Sequence, residues 1–314
     1  MSAMTATPRT PRSYEAALKS RAQNAAAKKV GRTFVELIEL HFHRRLIARI
    51  FDGPDAQNWV LKGGQALLVR WPQARASKDI DFLGRQDTVE EAVEALIAAA
   101  AKKLDDEISF RHYNTSTPAH VDWPTRNVKF KVMFGNVELH RTVSVDVVAS
   151  NHMLVGKITT EPLEPPIDIE CGPWPEVRVY PVENHVADKV CAIFELHGVN
   201  GTPSTRFRDP VDLVLFALKA EIRGDVTHLV LHEEARRRQE RGITTCVLPA
   251  KFVIPEEHTW AAGYAREAKD VEEIPKELRQ FGSAAVLLDA FVTPLLQPTP
   301  PPGSWNYAAA AEWR

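Results

Sequence analysis

The spacing of apolar positions changes several times along the chain, and each change marks an element. From residue 13 the pattern is helical. Val30, Phe34, Leu37, Ile38, His41, Phe42 and Leu46 recur every three or four residues and form one apolar stripe. Ser13 is placed to cap this stretch, with Glu15 in its first turn. After a turn at 53–58, Trp59 to Leu61 reads as a short strand, Gly63-Gly64 as its break, and 65–70 as a short helix. Asp79-Ile80-Asp81-Phe82 alternates with period two and reads as a strand. Asp87, three residues before Glu90, opens an alanine-rich helix that runs to about Leu104. Val128 to Phe134, Val137 to Leu139 and Val143 to Val148 are strand-like runs separated by turn signals, which predicts an antiparallel meander.

Residues 161–176 contain five prolines and read as a linker or a wrapping loop. Beyond Pro181 the pattern is helical over 183–198, 208–221, 223–241, 255–269 and 275–293. Five more prolines in 294–303 predict an extended tail. The expected organisation is a disordered 1–12, an α/β domain over 13–175, a helical domain over 176–293, and a proline-rich tail over 294–314. The fold class is mixed α/β (α+β): a mixed or antiparallel sheet with flanking helices, followed by a helical domain.

Composition narrows the class. The 314 residues are 44% hydrophobic and 25% charged, which suits a globular protein and excludes wholesale disorder. No run of 18 apolar residues predicts a membrane span, and residues 1–12 hold no apolar block typical of a signal peptide. Cys171, Cys191 and Cys246 are too few and too scattered for a disulfide framework or a zinc site, so a reducing cytoplasmic setting is expected. The net charge of -2 is uneven: residues 1–50 carry ten Lys/Arg against three Glu. Arg21, Lys28, Lys29, Arg32, Arg44, Arg45 and Arg49 are either a phosphate-facing arm or a solvated helix face. Arg236-Arg237-Arg238 with Arg241 has the same two readings.

The candidate chemistry centres on Asp79 and Asp81. Residues i and i+2 of a strand share a face, so two carboxylates would stand side by side while Ile80 and Phe82 point into a core. A hard divalent cation relieves such repulsion, and Mg²⁺ favours oxygen ligands together with substrate phosphates. Gly63-Gly64 lies between a strand and a helix, where backbone N–H groups can approach a phosphate. Asp146 is the one acid in Val143 to Val148, and an isolated charge there needs a partner. Three carboxylates from two strands can hold two metal ions for in-line displacement at phosphorus. Ser77 precedes Asp79 by two.

In this order the motifs resemble the DNA polymerase β-like nucleotidyltransferase superfamily, and more closely the AbiEii/MenT family of type IV toxin–antitoxin toxins. The C-terminal half adds His185-Val186-Ala187-Asp188-Lys189-Val190 and Arg208-Asp209-Pro210-Val211-Asp212-Leu213, which look like that family's helical motifs. The resemblance covers about residues 35–220. It implies that Gly63 and Gly64 hold the triphosphate, that Asp79 and Asp81 bind Mg²⁺, that Asp146 fills the third-carboxylate position, and that Lys189 and Asp212 complete the site. It also implies a nucleoside triphosphate (NTP) as substrate, the 3′ acceptor end of tRNA as acceptor, and an antitoxin as partner, with neither membrane nor DNA involved. One departure is that Gly63-Gly64-Gln65 replaces the superfamily's Gly-Ser, leaving backbone or the glutamine amide as the donor.

Several residues keep two readings. Lys62 is either a phosphate contact or a surface residue. Ser77 is either a turn serine or a site of self-modification. By spacing alone Lys189 is a solvent-facing lysine; by the resemblance it belongs to the site. Asp209 is assigned to capping α-helical N–H groups, Asp212 to the site, and Arg208 to pairing with Asp212. His228 and His232 have zinc spacing but no third ligand, and Cys191 reads as core. The rival functions are transfer to a protein hydroxyl, on the antitoxin or on Ser77, modification of a small molecule, and nucleotide binding without catalysis.

Overall fold

In the computed structural model the chain forms two compact units. The described residues are 10–28, 31–118, 124–150, 154–169, 171–197, 200–241, 244–254, 257–308 and 311–314. Unit 1 comprises Met1–Pro72, Ala76–His152 and Thr160–Val179; unit 2 comprises Gln73–Arg75, Met153–Thr159 and Tyr180–Arg314. The main exchange falls at 179/180, and two short segments from the first half belong to unit 2.

Unit 1 opens with two helices where one apolar stripe was expected. Thr10, not Ser13, caps α1 (Pro11–Ala27), and Thr10 and Ser13 exchange side-chain and backbone hydrogen bonds as a capping box. Residues 10–12 are therefore ordered, and Glu15 lies outside the first turn. The rest of the expected disordered terminus, with Lys29 and Val30, lies outside the described residues. A second capping box, Thr33 with Glu36, starts α2 (Phe34–Phe51).

Next come β1 (Trp59–Lys62), α3 (Gly63–Arg70), β2 (Ile80–Gly84), α4 (Val89–Ala100), β3 (Ile108–Ser116), β4 (Thr125–Phe134), β5 (Val137–Ala149), β6 (Thr159–Pro162) and β7 (Glu176–Val179). Thr88, not Asp87, caps α4, in a box with Glu91. Among the described residues the strands form one mixed sheet in the order β3-β4-β5-β2-β1-β7-β6. β2 runs parallel to β5 and β1 parallel to β7, while β1–β2, β3–β4 and β4–β5 are antiparallel.

The expected three-strand meander is corrected. Residues 137–149 are one strand, because a register shift at Lys131/Met133 and a positive φ at His140 carry the pairing past the polar residues that read as a turn. β3 escaped the sequence reading because its last six residues are exposed and show no apolar alternation.

The basic residues of α2 face inward. Arg44, Arg45 and Arg49 are buried. Arg45 Nε and Arg49 Nη2 each donate to the Asp106 carboxylate at 2.6 Å. Arg45 also donates to the carbonyls of Gly172 and Pro173, and Arg44 to that of Leu68. These arginines hold the 161–176 segment, whose Leu163, Ile167 and Ile169 are buried, so it wraps the core of unit 1. The phosphate-facing reading of the N-terminal arginines thus fails for these three: each is spent on an internal acceptor.

Unit 2 contains α5 (Val182–Phe194), β8 (Glu195–His197), β9 (Thr202–Pro203), α6 (Arg208–Lys219), β10 (Ile222–Arg223), α7 (Gly224–Arg241), β11 (Thr244–Cys246), α8 (Glu257–Ala268), α9 (Phe281–Val292), β12 (Ser304–Asn306) and β13 (Glu312–Trp313). The proline-rich end is not a free tail. β12 pairs with β10 and β13, Trp305 is fully buried, and its Nε1 donates to the Ala217 carbonyl at 2.8 Å. Arg236 pairs with Glu233 and Glu240, Arg237 with Glu234, and Arg238 with Glu234 and Glu195, so these three arginines are internally neutralised; the side chain of Arg241 lies outside the described residues. His228 and His232 each place Nε2 on a backbone carbonyl, of Gln297 and Leu295 respectively, which favours tethering over metal binding. Cys191 and Cys246 are buried.

Two predictions follow from these buried charges. Asp106→Asn leaves two buried guanidinium groups with a poorer partner and should cost about 3–5 kcal/mol in urea unfolding; a loss below about 1 kcal/mol contradicts the arrangement. Burial lowers the pKa of His41 to about 3 and of His43 to about 4, with Arg45 and Arg49 adding to the effect at His41. Both fold neutral, so their contribution is complete above about pH 6.5 and is lost as pH falls toward the folded values. Unfolding free energy should therefore decline between pH 6.5 and 5 by up to about 1.4 kcal/mol per pH unit for each histidine, and His43→Gln should reduce the slope. A flat profile in wild type contradicts it.

Candidate active site

Strand pairing in unit 1 builds a polar row. Asp81 on β2 stands directly opposite Asp146 on β5. Asn127 on β4 stands opposite Asp146, and Lys62 on β1 opposite Asp81. Opposed residues on neighbouring strands share a face, so Asn127, Asp146, Asp81 and Lys62 line up across four strands. Their sequence neighbours Val128, Val145, Val147, Ile80 and Phe82 point the other way and are buried in the core. The alternation that fixes the core thus fixes the carboxylates.

The chain leaves β1 beside this row through Gly63, which has φ +61. A Cβ at Gly63 would lie 1.9 Å from Asp81 Oδ2. Only glycine lets the turn pass so close to the carboxylate. Gly63 and Gly64 are the first residues of α3, not a break before it, and no side chain caps that helix start. Gln65 does not stand in for the missing serine. It is buried, with Nε2 2.9 Å from His43 Nδ1 and 3.3 Å from the Ser77 carbonyl. Backbone N–H groups remain as the local donors.

Asp79 precedes β2 in an exposed bend, so strand alternation does not apply to it. Its charge still reaches Asp146. Burial raises the Asp146 pKa, the Asn127 hydrogen bond lowers it, and Asp79 raises it further. Ser77 Oγ donates to the Asp79 carbonyl at 3.1 Å, the contact of a turn serine. Sequence reasoning missed Asn127, whose Nδ2 donates to Asp146 Oδ1 at 2.7 Å and lies 2.8 Å from Ser144 Oγ. Only the β4–β5 register brings it there.

Unit 2 gathers the other sequence-derived residues. Lys189 Nζ lies 2.6 Å from Asp209 Oδ1 and 2.7 Å from Asp212 Oδ2. Arg75 donates to both Asp212 oxygens at 2.8 and 2.7 Å, and Arg206 pairs with Asp209. Burial alone would raise both aspartate pKa values. Arg75 and Lys189 outweigh it at Asp212, and Lys189 and Arg206 at Asp209, so both carboxyls lie below the usual range. Lys189 is buried, against the solvent-facing reading that spacing alone gives. Two assignments change. Asp209 is an ion partner, the helix start having no side-chain cap. Arg208 meets Glu267, and Asp212 takes Arg75 in its place.

Asp81 and Asp146, opposed on neighbouring strands, are oxygen donors of the kind a hard divalent cation takes, and Gly63 keeps side chains away from Asp81. Among the described residues no group of three or more His, Cys, Asp or Glu side chains could hold a metal ion, so the expected three-carboxylate set of Asp79, Asp81 and Asp146 is not gathered here.

The sequence matches the model of the nucleotidyl transferase AbiEii toxin family, type IV toxin–antitoxin system, over residues 45–310. The chain belongs to the AbiEii family. Membership makes it a nucleotidyltransferase toxin by family, with an NTP as substrate and an antitoxin as implied partner. Solved structures similar to it include the following two. MenT4, a nucleotidyltransferase toxin of Mycobacterium tuberculosis, is 14% identical, with 88% of this chain and 97% of that chain covered and a TM-score of 0.49. JHP933 of Helicobacter pylori is also 14% identical, with 84% and 82% covered and a TM-score of 0.38. No curated protein matches the chain in sequence. No helix among the described residues is long and apolar enough to cross a membrane.

For this AbiEii-family chain the tight passage at Gly63 gives a sharp test. Gly63→Ala must displace either the turn or Asp81, and a displacement near 1 Å costs about 10²-fold in rate. Nucleotidyl transfer should fall by that order while the far-ultraviolet spectrum is unchanged. Wild-type activity in Gly63→Ala contradicts the geometry.

Proposed function

We propose that this AbiEii-family chain transfers a nucleotide from an NTP to the 3′ hydroxyl at the acceptor end of tRNA, which blocks translation and arrests growth in the cytoplasm. The observation that carries the reading is the pairing of Asp81 with Asp146 beside a glycine turn that admits no side chain. Asp81 and Asp146 would hold Mg²⁺, joined by Asp79 on the likeness of the motif alone; the ion would supply charge neutralisation on the triphosphate and lower the pKa of the attacking hydroxyl.

The residues have separate tasks. The N–H groups of Gly63 and Gly64 receive phosphate oxygens at the start of α3. Lys62, opposite Asp81, adds positive charge on the same face. Asn127 donates to Asp146 Oδ1 and so orients that carboxylate, which would take the hydroxyl proton. The 3′ oxygen attacks the α-phosphorus, the bond to the β-phosphate breaks, and pyrophosphate leaves. Lys189 and Asp212 belong to the reaction on the likeness of their motifs, and burial of their ion cluster fits a functional role because such clusters are costly to build. Ser77 serves the turn that presents Asp79.

Total tRNA with each labelled triphosphate and Mg²⁺ tests the reading. Label should appear on tRNA with wild type and fall by at least about 10²-fold with Asp81→Asn, as expected when a transition-state contact is lost. Lys189→Ala should also lower it. Label on the protein and none on RNA would overturn the tRNA acceptor in favour of a protein hydroxyl. Unchanged labelling by Asp81→Asn would overturn the site.

A further inference from the structure

The cations on β3 and β4 differ in one respect. Arg111 and Lys131 share Glu138, at 2.9 and 3.3 Å, and Arg126 meets Glu90 at 2.5 Å. Lys129 has no carboxylate within 4.0 Å among the described residues. It is nevertheless half-buried. A lysine whose stem lies along the sheet and whose ammonium has no counter-ion is open to an anion from outside the chain.

Its place in the sheet says what that is. Lys129 lies two residues after Asn127 on β4 and directly opposite Ser144, which lies two residues before Asp146 on β5. Asn127 touches both Ser144 and Asp146, so these side chains share one face, and alternation puts Lys129 on it too. The row beside Asn127, Asp146 and Asp81 therefore carries a cation. Carboxylates repel phosphate, and a polyphosphate brought to them needs a nearby donor of positive charge. An ammonium is a compact charge with three donors suited to phosphate oxygens. Lys189 is differently placed: it is buried against two aspartates.

We propose that Lys129 binds a phosphate oxygen at the carboxylate row and is a substrate-binding residue of this protein. The proposal rests on the nucleotidyl-transfer reading of that row. The phosphate has two sources, the triphosphate or the backbone of the acceptor RNA.

The full-length protein, Lys129→Met and Lys129→Arg are compared. Equilibrium dialysis with each labelled triphosphate and Mg²⁺ reads one source; filter binding of tRNA across a salt series reads the other. Lys129→Met keeps the apolar stem and should weaken one ligand by about tenfold or more, the size of a charge-assisted hydrogen bond. Lys129→Arg should restore it to within about threefold, with thermal unfolding midpoints unchanged in both variants. If RNA is the source, the slope of log affinity against log salt should also fall by about one. Wild-type affinity of Lys129→Met for both ligands overturns the proposal. So does a loss that Lys129→Arg fails to rescue and that accompanies a lowered unfolding midpoint, which marks a structural lysine. Wild-type protein that binds neither ligand overturns it as well. Wild type that binds both but transfers nothing to RNA overturns the transfer reading alone.

Discussion

Like charges held side by side by a β-sheet are the constraint on which unit 1 turns. Two parallel strands, β2 and β5, fix Asp81 opposite Asp146. The strands cannot slip by one residue to separate them, because a slip would turn Ile80, Phe82, Val145 and Val147 out of the core. Hydrophobic burial therefore fixes the two carboxylates at opposed positions on one face of the sheet. The rest of the site is arranged around them. Asn127 donates to Asp146, Lys62 stands opposite Asp81, and Gly63 leaves room where a side chain would collide.

Each unit also buries an ion cluster, and the two have different characters. In unit 1, Asp106 lies between Arg45 and Arg49, and the arginines' remaining donors go to backbone carbonyls. That cluster ties α2 to the segment that wraps the core. In unit 2, Lys189 lies between Asp209 and Asp212, each of which holds an arginine as well. Both clusters are favourable only with every member present, because a buried charge left alone costs far more than a pair contributes. The second contains the Lys189 and Asp212 that the family resemblance singles out.

What could be read from the sequence followed from how local each signal was. The helices of unit 2, β1, β2 and the candidate carboxylates Asp79, Asp81 and Asp146 are visible because period, caps and short motifs lie within a few residues of one another. Asn127 was not, since only the β4–β5 register makes it a neighbour of Asp146. Arg44, Arg45 and Arg49 misled because charge was counted without burial, and their acceptors at 68, 106, 172 and 173 are distant in sequence. Trp305 turned the proline-rich end from a tail into a packed strand, since a large apolar ring with a buried N–H partner outweighs the local signal of the prolines. The glycine pair was noticed for its backbone freedom, while its reason, contact with Asp81, needed three dimensions.

In the proposed function Asp81 and Asp146 form the metal-binding floor of a nucleotidyl-transfer site. A crystal grown with Mn²⁺ and a non-hydrolysable triphosphate tests it most directly, through the anomalous signal of the metal. A peak bonded to oxygens of both Asp81 and Asp146 is expected, with the phosphates of the nucleotide beside Gly63 and Gly64. Manganese bound with the nucleotide elsewhere, while these two carboxylates touch neither, would contradict it.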